Sequence, residues 1–273
     1  GNVVENKEAN DISPNAISES TYDYKDYDTI QLLHQDTGKT EELELDTYLY
    51  GVVSAEMPVS FEEEALKAQA VVARTYTLYK IVNNDGKHGK ADICDDSTCC
   101  QAWISKENRF ARWEESEQEE NWKKIVNAVN STQGKIITYQ GKPINAFFHS
   151  NSGGETEAPI EVWGGSGYPY LQSVSTAGED AYSQYSSEAE FTEEEFVEKI
   201  KEVHSDFEIN WKEDNCIEVT EYTEGNRVKT IKIGNLELSG VEVRTIFGLR
   251  SANFKVTREG GKIKFEVTGY GHG

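Results

Sequence analysis

DTYLYGVVSAEMPVSFEEEALKAQAVVARTYTLYK, residues Asp46–Lys80, reads as two helical segments joined at one break. Tyr48, Leu49, Val52 and Val53 recur at helical spacing, and Asp46 is placed to cap the first segment. Pro58 disfavours helical geometry at Met57, so this segment ends there, just after Glu56. Ser60 and Glu63 have the form of a capping box that opens the second helix. That helix carries Ala65, Leu66, Ala68, Ala70, Val71, Val72, Ala73 and Tyr76, is apolar almost all round, and is therefore expected to be buried. With the strand patterns on either side of it, this predicts an α+β fold: a buried helical segment packed on short antiparallel sheets, in two lobes (about 29–175 and 176–273) around a cleft.

Glu56 falls on the corner between the two apolar elements. Such surroundings disfavour the ionised form and raise the pKa, as a general acid requires; the alternative is a solvated residue at a helix end. Lys67, Gln69 and Arg74 interrupt the second helix. Long polar side chains on a packed helix either snorkel to the surface or point into a polar cleft, which makes these residues, with Tyr76, candidates for binding substrate.

Outward from this stretch, residues 29–45 read as a hairpin turning at Asp36-Thr37-Gly38, with His34 an ordinary strand residue. Residues 1–20 are polar and aperiodic, as in a disordered tether. The loop from Gly86 to Trp103 holds His88, Cys94, Cys99 and Cys100. His88-x5-Cys94-x5-Cys100 offers one imidazole and two thiolates, the ligand set zinc favours, with a fourth position left to water, Cys99 or substrate. Adjacent cysteines usually project apart, so Cys99 and Cys100 are not expected to share an ion. The alternative is a local disulfide, Cys94–Cys100 or Cys94–Cys99.

Further on, WEESEQEENW reads as a solvated acidic face ahead of a helix with Ile125, Val126 and Val129 on one side. Residues 134–148 read as a hairpin whose second strand delivers His149-Ser150-Asn151-Ser152-Gly153-Gly154. These hydroxyls, the amide and the glycines suit hydrogen bonding to sugar; no nucleophile elbow is present. Tyr170 lies among aromatics of a glycine-rich loop, where ring faces can stack on sugars. Residues 178–188 read as a loop, and Phe191–His204 as a helix capped by Thr192 with Glu195. Two alternating strands flank Glu224-Gly225-Asn226, a short helix follows at GVEVRTIFG, and a last hairpin turns at Gly260-Gly261. Cys216 reads as a core residue.

At 273 residues the chain can bury a full core, and a net charge of −22 argues against nucleic acid as a partner. No apolar run approaches the ~20 residues that span a bilayer. No signal peptide opens the sequence, and the start at Gly1-Asn2-Val3 suggests a processed or trimmed chain.

SAEMP, FEEEALKAQAVVARTYTL, CDDSTCCQAW, FFHSNSGGETE, VWGG with YPYLQSV, GVEVRTIFGLRSANF and GYGHG occur in this order over most of residues 46–273. In this the chain resembles the stage II sporulation protein D family of peptidoglycan lytic transglycosylases. The resemblance implies that Glu56 is a single catalytic residue, and that the His149–Ser152 segment lies beside it and lines a glycan cleft. It implies cleavage of the β-1,4 bond between N-acetylmuramic acid and N-acetylglucosamine, giving a 1,6-anhydro end. The implied partners are glycan strands, a peptidoglycan amidase and a membrane-anchor protein of the sporulation engulfment complex. The implied location is extracytoplasmic, between mother-cell and forespore membranes, with an N-terminal anchor absent here. Where this family commonly has His, the chain has Cys99. Past Gly271-His272-Gly273 the family continues, which suggests a truncated chain.

Overall fold

The computed structural model describes residues 27–273; the arm read over residues 1–20 lies outside them. The chain forms two units, one ending at Phe147 and the other spanning Phe148–Gly273.

The first unit opens with the expected hairpin, β1 (Thr29–Leu33) antiparallel to β2 (Thr40–Glu44). It runs directly into α1 (Leu45–Glu56) and then α2 (Glu63–Val82). Tyr48, Leu49, Val52 and Val53 are fully buried, as their spacing requires, against Leu66, Ala70 and Ala73 of α2 and Ile30 and Leu32 of β1. A two-residue strand, β3 (Ile93–Cys94), pairs parallel to β1 and fixes the start of the cysteine loop. The short α3 (Lys106–Phe110) and the amphipathic α4 (Gln118–Asn130) follow, the latter burying Ile125, Ala128 and Val129. The unit ends in β4 (Thr138–Tyr139) and β5 (Lys142–Pro143).

Three local expectations are corrected here. Asp46 does not cap α1: the N-cap is Glu44, and Asp46 sits in the first turn, accepting from Gln133 Nε2 at 3.1 Å. Ser60 does not cap α2, which begins at Glu63, because Lys124 Nζ donates to the carbonyls of Val59 (2.7 Å) and Phe61 (2.6 Å) and holds that turn outside the helix. The second strand of the 134–148 hairpin stops at Pro143, so residues 144–148 are irregular.

The second unit carries α5 (Pro159–Trp163), then β6 (Ser186–Thr192) where a loop was expected over 178–188. β6 has no local partner; it pairs antiparallel with a strand whose paired residues lie 70 or more positions later in the sequence. α6 (Glu193–Lys201) opens on the predicted capping box, with both the Thr192 and Glu195 bonds formed. β7 (Ile217–Tyr222), β8 (Val228–Ile233) and an unforeseen β9 (Leu236–Ser239) make one sheet. After α7 (Gly240–Phe247), β10 (Phe254–Glu259) and β11 (Lys262–Thr268) form the last hairpin, and β11 lies between β10 and β6. Phe196, Phe247 and Phe265 stack in the core of this unit, and Cys216 is buried as expected.

Among the described residues Arg74 is the largest fully buried side chain. Neither expectation for it holds, since it reaches neither the surface nor a cleft. Its Nη1 donates to the Thr132 and Lys135 carbonyls at 2.9 and 3.2 Å and its Nη2 to the Val129 carbonyl at 3.2 Å. These carbonyls lie in the last turn of α4 and the turn that follows it, where the Val129 and Thr132 oxygens also accept from the Thr132 and Lys135 amides, and a cation there meets the negative end of the helix dipole. Arg74→Met is therefore expected to lower unfolding stability in urea by about 3 kcal/mol, the order for stripping charged donors from buried acceptors. Activity per folded molecule should change little, and a stable variant with reduced turnover would overturn this assignment.

Candidate functional site

Glu56 is the last residue of α1, because Pro58 has no N–H with which to continue the helix and Met57 turns extended. Its side chain is partly buried, and burial raises its pKa above the ordinary carboxylate range. One group opposes this: the Ala102 N–H donates to Glu56 Oε1 at 2.6 Å. With Oε1 accepting from that amide, the proton of the neutral form resides on Oε2, which defines the edge that can give it up.

The Ala102 amide is itself held on both sides. Gln101 is buried, its Nε2 donating to Tyr48 Oη (2.9 Å) and Thr77 Oγ1 (2.8 Å). Trp103 lies against Gly51 of α1, where an added Cβ would fall 2.2 Å from the indole nitrogen, so only glycine admits the ring. A main-chain donor leaves no mark in sequence, and Ala102 was not foreseen.

Of the residues predicted on α2, Lys67 pairs with Glu63 and Glu64 at 3.0 and 2.8 Å on the outer face of the first turns. Gln69 is buried, its Nε2 without a partner among the described residues, and Arg74 closes α4 as described. Tyr76 is buried beside the thiols, and burial, reinforced by those thiols, raises its pKa.

The cysteine loop folds on itself. The Cys99 and Cys100 amides both donate to the Asp96 carbonyl, at 3.1 and 2.8 Å, while Asp96 Oδ1 accepts from Thr98 N and Oγ1, each at 2.8 Å. This tight turn brings both adjacent thiols to one side, against the expectation that they project apart. One ligand atom from each of His88, Cys94, Cys99 and Cys100 lies within 4.8 Å of the others. The Cys99–Cys100 sulfurs are 3.8 Å apart, and His88 Nε2 is 3.3 Å from Cys100 Sγ and 3.7 Å from Cys99 Sγ. Zinc–sulfur bonds of ~2.3 Å in a tetrahedron require edges of about 3.8 Å, so these donors fit that ion. All four cysteines of the chain are free thiols, and neither alternative disulfide is formed. Burial lowers the His88 pKa, with help from Lys80 and Lys87, which keeps the imidazole neutral as a ligand must be. Burial pushes the Cys100 thiol up to about 12; Cys99 is also raised by burial, but hydrogen bonds from Lys87 and among the cysteines turn its shift downward.

In the second unit the glycine-rich segment is built differently from its reading. Asn151 and Ser152 are buried. Asn151 pairs its backbone with Tyr270, and its side chain bonds Gly153 N and the Glu179 carbonyl. Ser152 Oγ bonds Thr176 Oγ1 (2.6 Å) and Glu179 Oε2 (2.5 Å). Both side chains are thus taken up within the loop, and only His149 and Ser150 remain exposed. Tyr170 is partly buried, its ring 5.5 Å from that of Tyr168. Glu179 organises the segment from one side, accepting from Ser152 N and Gly154 N at 2.9 Å each. Buried Arg227 donates to the Ser152, Glu155 and Gly225 carbonyls. Neither residue was foreseen, since the Ser152 and Gly154 groups they hold lie 25 or more residues away.

Burial pushes the Glu179 carboxyl up, but the Ser152, Gly154 and Thr176 donors outweigh it and hold it at about 2, against 4.5 for an ordinary glutamate. Its ionised form stabilises the fold fully above the ordinary value, and this is lost as pH falls from there through about 2. Melting temperatures taken from about pH 6 down to about pH 3 should fall more steeply for wild type than for Glu179→Gln. Parallel curves would show that these bonds carry no net stabilisation.

A family model described as Stage II sporulation protein (SpoIID) matches residues 34–139, a span that includes Glu56 and all four cluster residues. Stage II sporulation protein D of Bacillus amyloliquefaciens is 39% identical over 234 residues, and that of Bacillus subtilis (strain 168) is 37% identical over 235. In both cases the match covers 85% of this chain and 66% of the relative, so the chain spans just under two thirds of their length. The Amidase enhancer of Bacillus subtilis is 37% identical over 128 residues, 45% of this chain and 14% of that protein.

Proposed function

Since the chain belongs to the stage II sporulation protein D family, we propose that it is a lytic transglycosylase acting on peptidoglycan glycan strands during sporulation. The observation that carries this reading is Glu56: one carboxylate, partly buried at a helix end, its pKa raised and one oxygen fixed by a main-chain N–H. Hydrolysis of a glycoside ordinarily uses two carboxylates, one to protonate the leaving oxygen and one to attack or activate water. A single carboxylate suffices when the substrate supplies its own nucleophile. Glu56 Oε2 gives its proton to the oxygen between N-acetylmuramic acid and N-acetylglucosamine as the C1–O bond breaks. The resulting carboxylate then takes the proton of the C6 hydroxyl, whose oxygen closes on C1 to leave a 1,6-anhydro sugar. Attack from within the same ring carries an effective concentration of order 10⁵ M or more in good cases. A raised pKa serves both halves, favouring the protonated acid for the first and making its conjugate base a better proton acceptor for the second.

The His88, Cys94, Cys99 and Cys100 cluster would hold zinc as a structural ion. Four protein donors fill a tetrahedral shell and leave no position for a nucleophilic water, which argues against a zinc hydrolase. When bound, the ion supplies cross-linking of the 88–100 segment. Cys100 stands two residues before Ala102, the donor to Glu56.

Among the described residues no helix is long and apolar enough to cross a membrane. An extracytoplasmic site between the mother-cell and forespore membranes, and association with a peptidoglycan amidase and a membrane-anchor protein, complete the proposal. The relative named Amidase enhancer favours a second reading, a glycan-binding module that assists an amidase without cutting. Mass spectrometry of purified glycan strands incubated with the protein separates the two: 1,6-anhydro ends support the enzyme, and intact strands retained on the protein support the module.

A further inference from the structure

The end of α1 contains a main-chain defect. The last helical bond runs from Met57 N to the Val53 carbonyl at 3.1 Å. The next acceptor, the Ser54 carbonyl, would be served four residues on by position 58, which is Pro58 and has no N–H. Ser54 is buried, so water is a poor substitute. The missing donor comes instead from Arg109 at the C-terminal end of α3, whose Nη2 bonds the Ser54 carbonyl. Arg109 is partly buried, its guanidinium 5.5 Å from the centre of the Trp113 ring. Among the described residues it makes no ion pair, and its Nε has no partner. A cation at this position also meets the negative end of the α1 dipole.

Glu56 therefore has two anchors. Its carboxylate is set by Ala102 N and its backbone by the turn that Arg109 closes. We propose that Arg109 is a positioning residue for Glu56: it supplies the hydrogen bond that Pro58 cannot and so fixes the last turn of α1 beneath the acid. This rests on the reading of Glu56 as the general acid. Misplacement of a catalytic group by about 1 Å costs on the order of 100-fold in rate, so a donor this close to the turn matters for the chemistry as well as for packing.

Arg109→Met keeps the apolar stem over Trp113 and removes the donor. The expected result is a fall in kcat of about 10- to 100-fold on glycan oligomers, with KM within about twofold and the protein folded at assay temperature. Arg109→Lys, which retains a donor for the Ser54 carbonyl, should recover most of the loss. A readout independent of activity is the Ala102 amide proton, which should move in Arg109→Met in the same direction as in Glu56→Gln and return in Arg109→Lys. An unchanged kcat and an unmoved Ala102 amide would overturn the proposal; so would losses in Arg109→Met and Arg109→Lys that simply follow their melting temperatures. If Arg109→Met does not fold, Arg109→Gln, too short to span to the carbonyl, is judged by the same criteria. A wild type that yields no anhydro ends, with the Ala102 amide still moving in Arg109→Met, would sink the enzymatic reading and leave the positioning of the carboxylate standing.

Discussion

Glu56→Gln is expected to stop the release of 1,6-anhydro ends, with a loss of about 10²- to 10⁴-fold, the range supplied by a positioned general acid. The substitution is clean because the amide oxygen can still accept from Ala102 N, so Gln101, Ala102 and Trp103 keep their seat on α1. What disappears is the proton on the other oxygen. Stability should move the opposite way from activity. Because burial raises the Glu56 pKa, the fold prefers the neutral acid; that preference stabilises the protein fully at low pH and is lost as pH rises through the folded value. A glutamine is neutral at every pH, so Glu56→Gln should melt at or above the wild-type temperature near neutrality. Folded Glu56→Gln with near-normal turnover would exclude Glu56 as the acid. An inactive variant that melts well below wild type would point to a structural role instead.

The second large effect concerns the thiol cluster. One zinc per chain should accompany the purified protein, and its removal by a chelator should speed amide hydrogen exchange across residues 86–103 without global unfolding. That segment buries little apolar side chain beyond Ala91, Ile93 and Cys94, so bonds to the ion would do the work of a core. Cys94→Ser should release the metal and lower glycan cleavage, because the loosened loop carries the Ala102 amide; added zinc should restore the chelated wild type but not the variant. Cys99→Ser tests the fourth ligand. A closed tetrahedral site should lose more than about 100-fold in zinc affinity, beyond what loss of a supporting hydrogen bond costs. An unaltered affinity would return Cys99 to the surroundings of a three-ligand site. No zinc by elemental analysis, together with two fewer reactive thiols than cysteines, would decide for a disulfide in solution.

The sites show different degrees of legibility. Glu56 could be found because its two causes, an apolar helix and Pro58, lie within a few residues of it. The cluster residues His88, Cys94 and Cys100 could be found from residue type and spacing. Cys99 was set aside on a rule about adjacent side chains that the Asp96 turn overrides, since both amides converge on one carbonyl. Asn151 and Ser152 looked like sugar-binding groups because hydroxyls and amides have the same chemistry whether they face solvent or Glu179. His34 was read as an ordinary strand residue, yet its two ring nitrogens meet Glu41 at 2.9 Å and Asp95 at 3.0 Å, the latter 61 positions away.

What the sequence by itself determined are features whose physical cause is local: the apolar faces of α1 and α2, the break at Pro58, the capping box at Thr192 and Glu195, and the hairpin at Gly260-Gly261. Each follows from backbone geometry or from a periodicity read within a few turns of chain. What only the tertiary structure decided are partners that arrive from far along the chain: β6 against β11, Arg74 under the carbonyls of α4, Ala102 N on Glu56, and Arg109 on the carbonyl that Pro58 leaves bare. A buried polar group must find a partner, but which one it finds depends on what the fold brings beside it, and that is written in no single stretch of sequence.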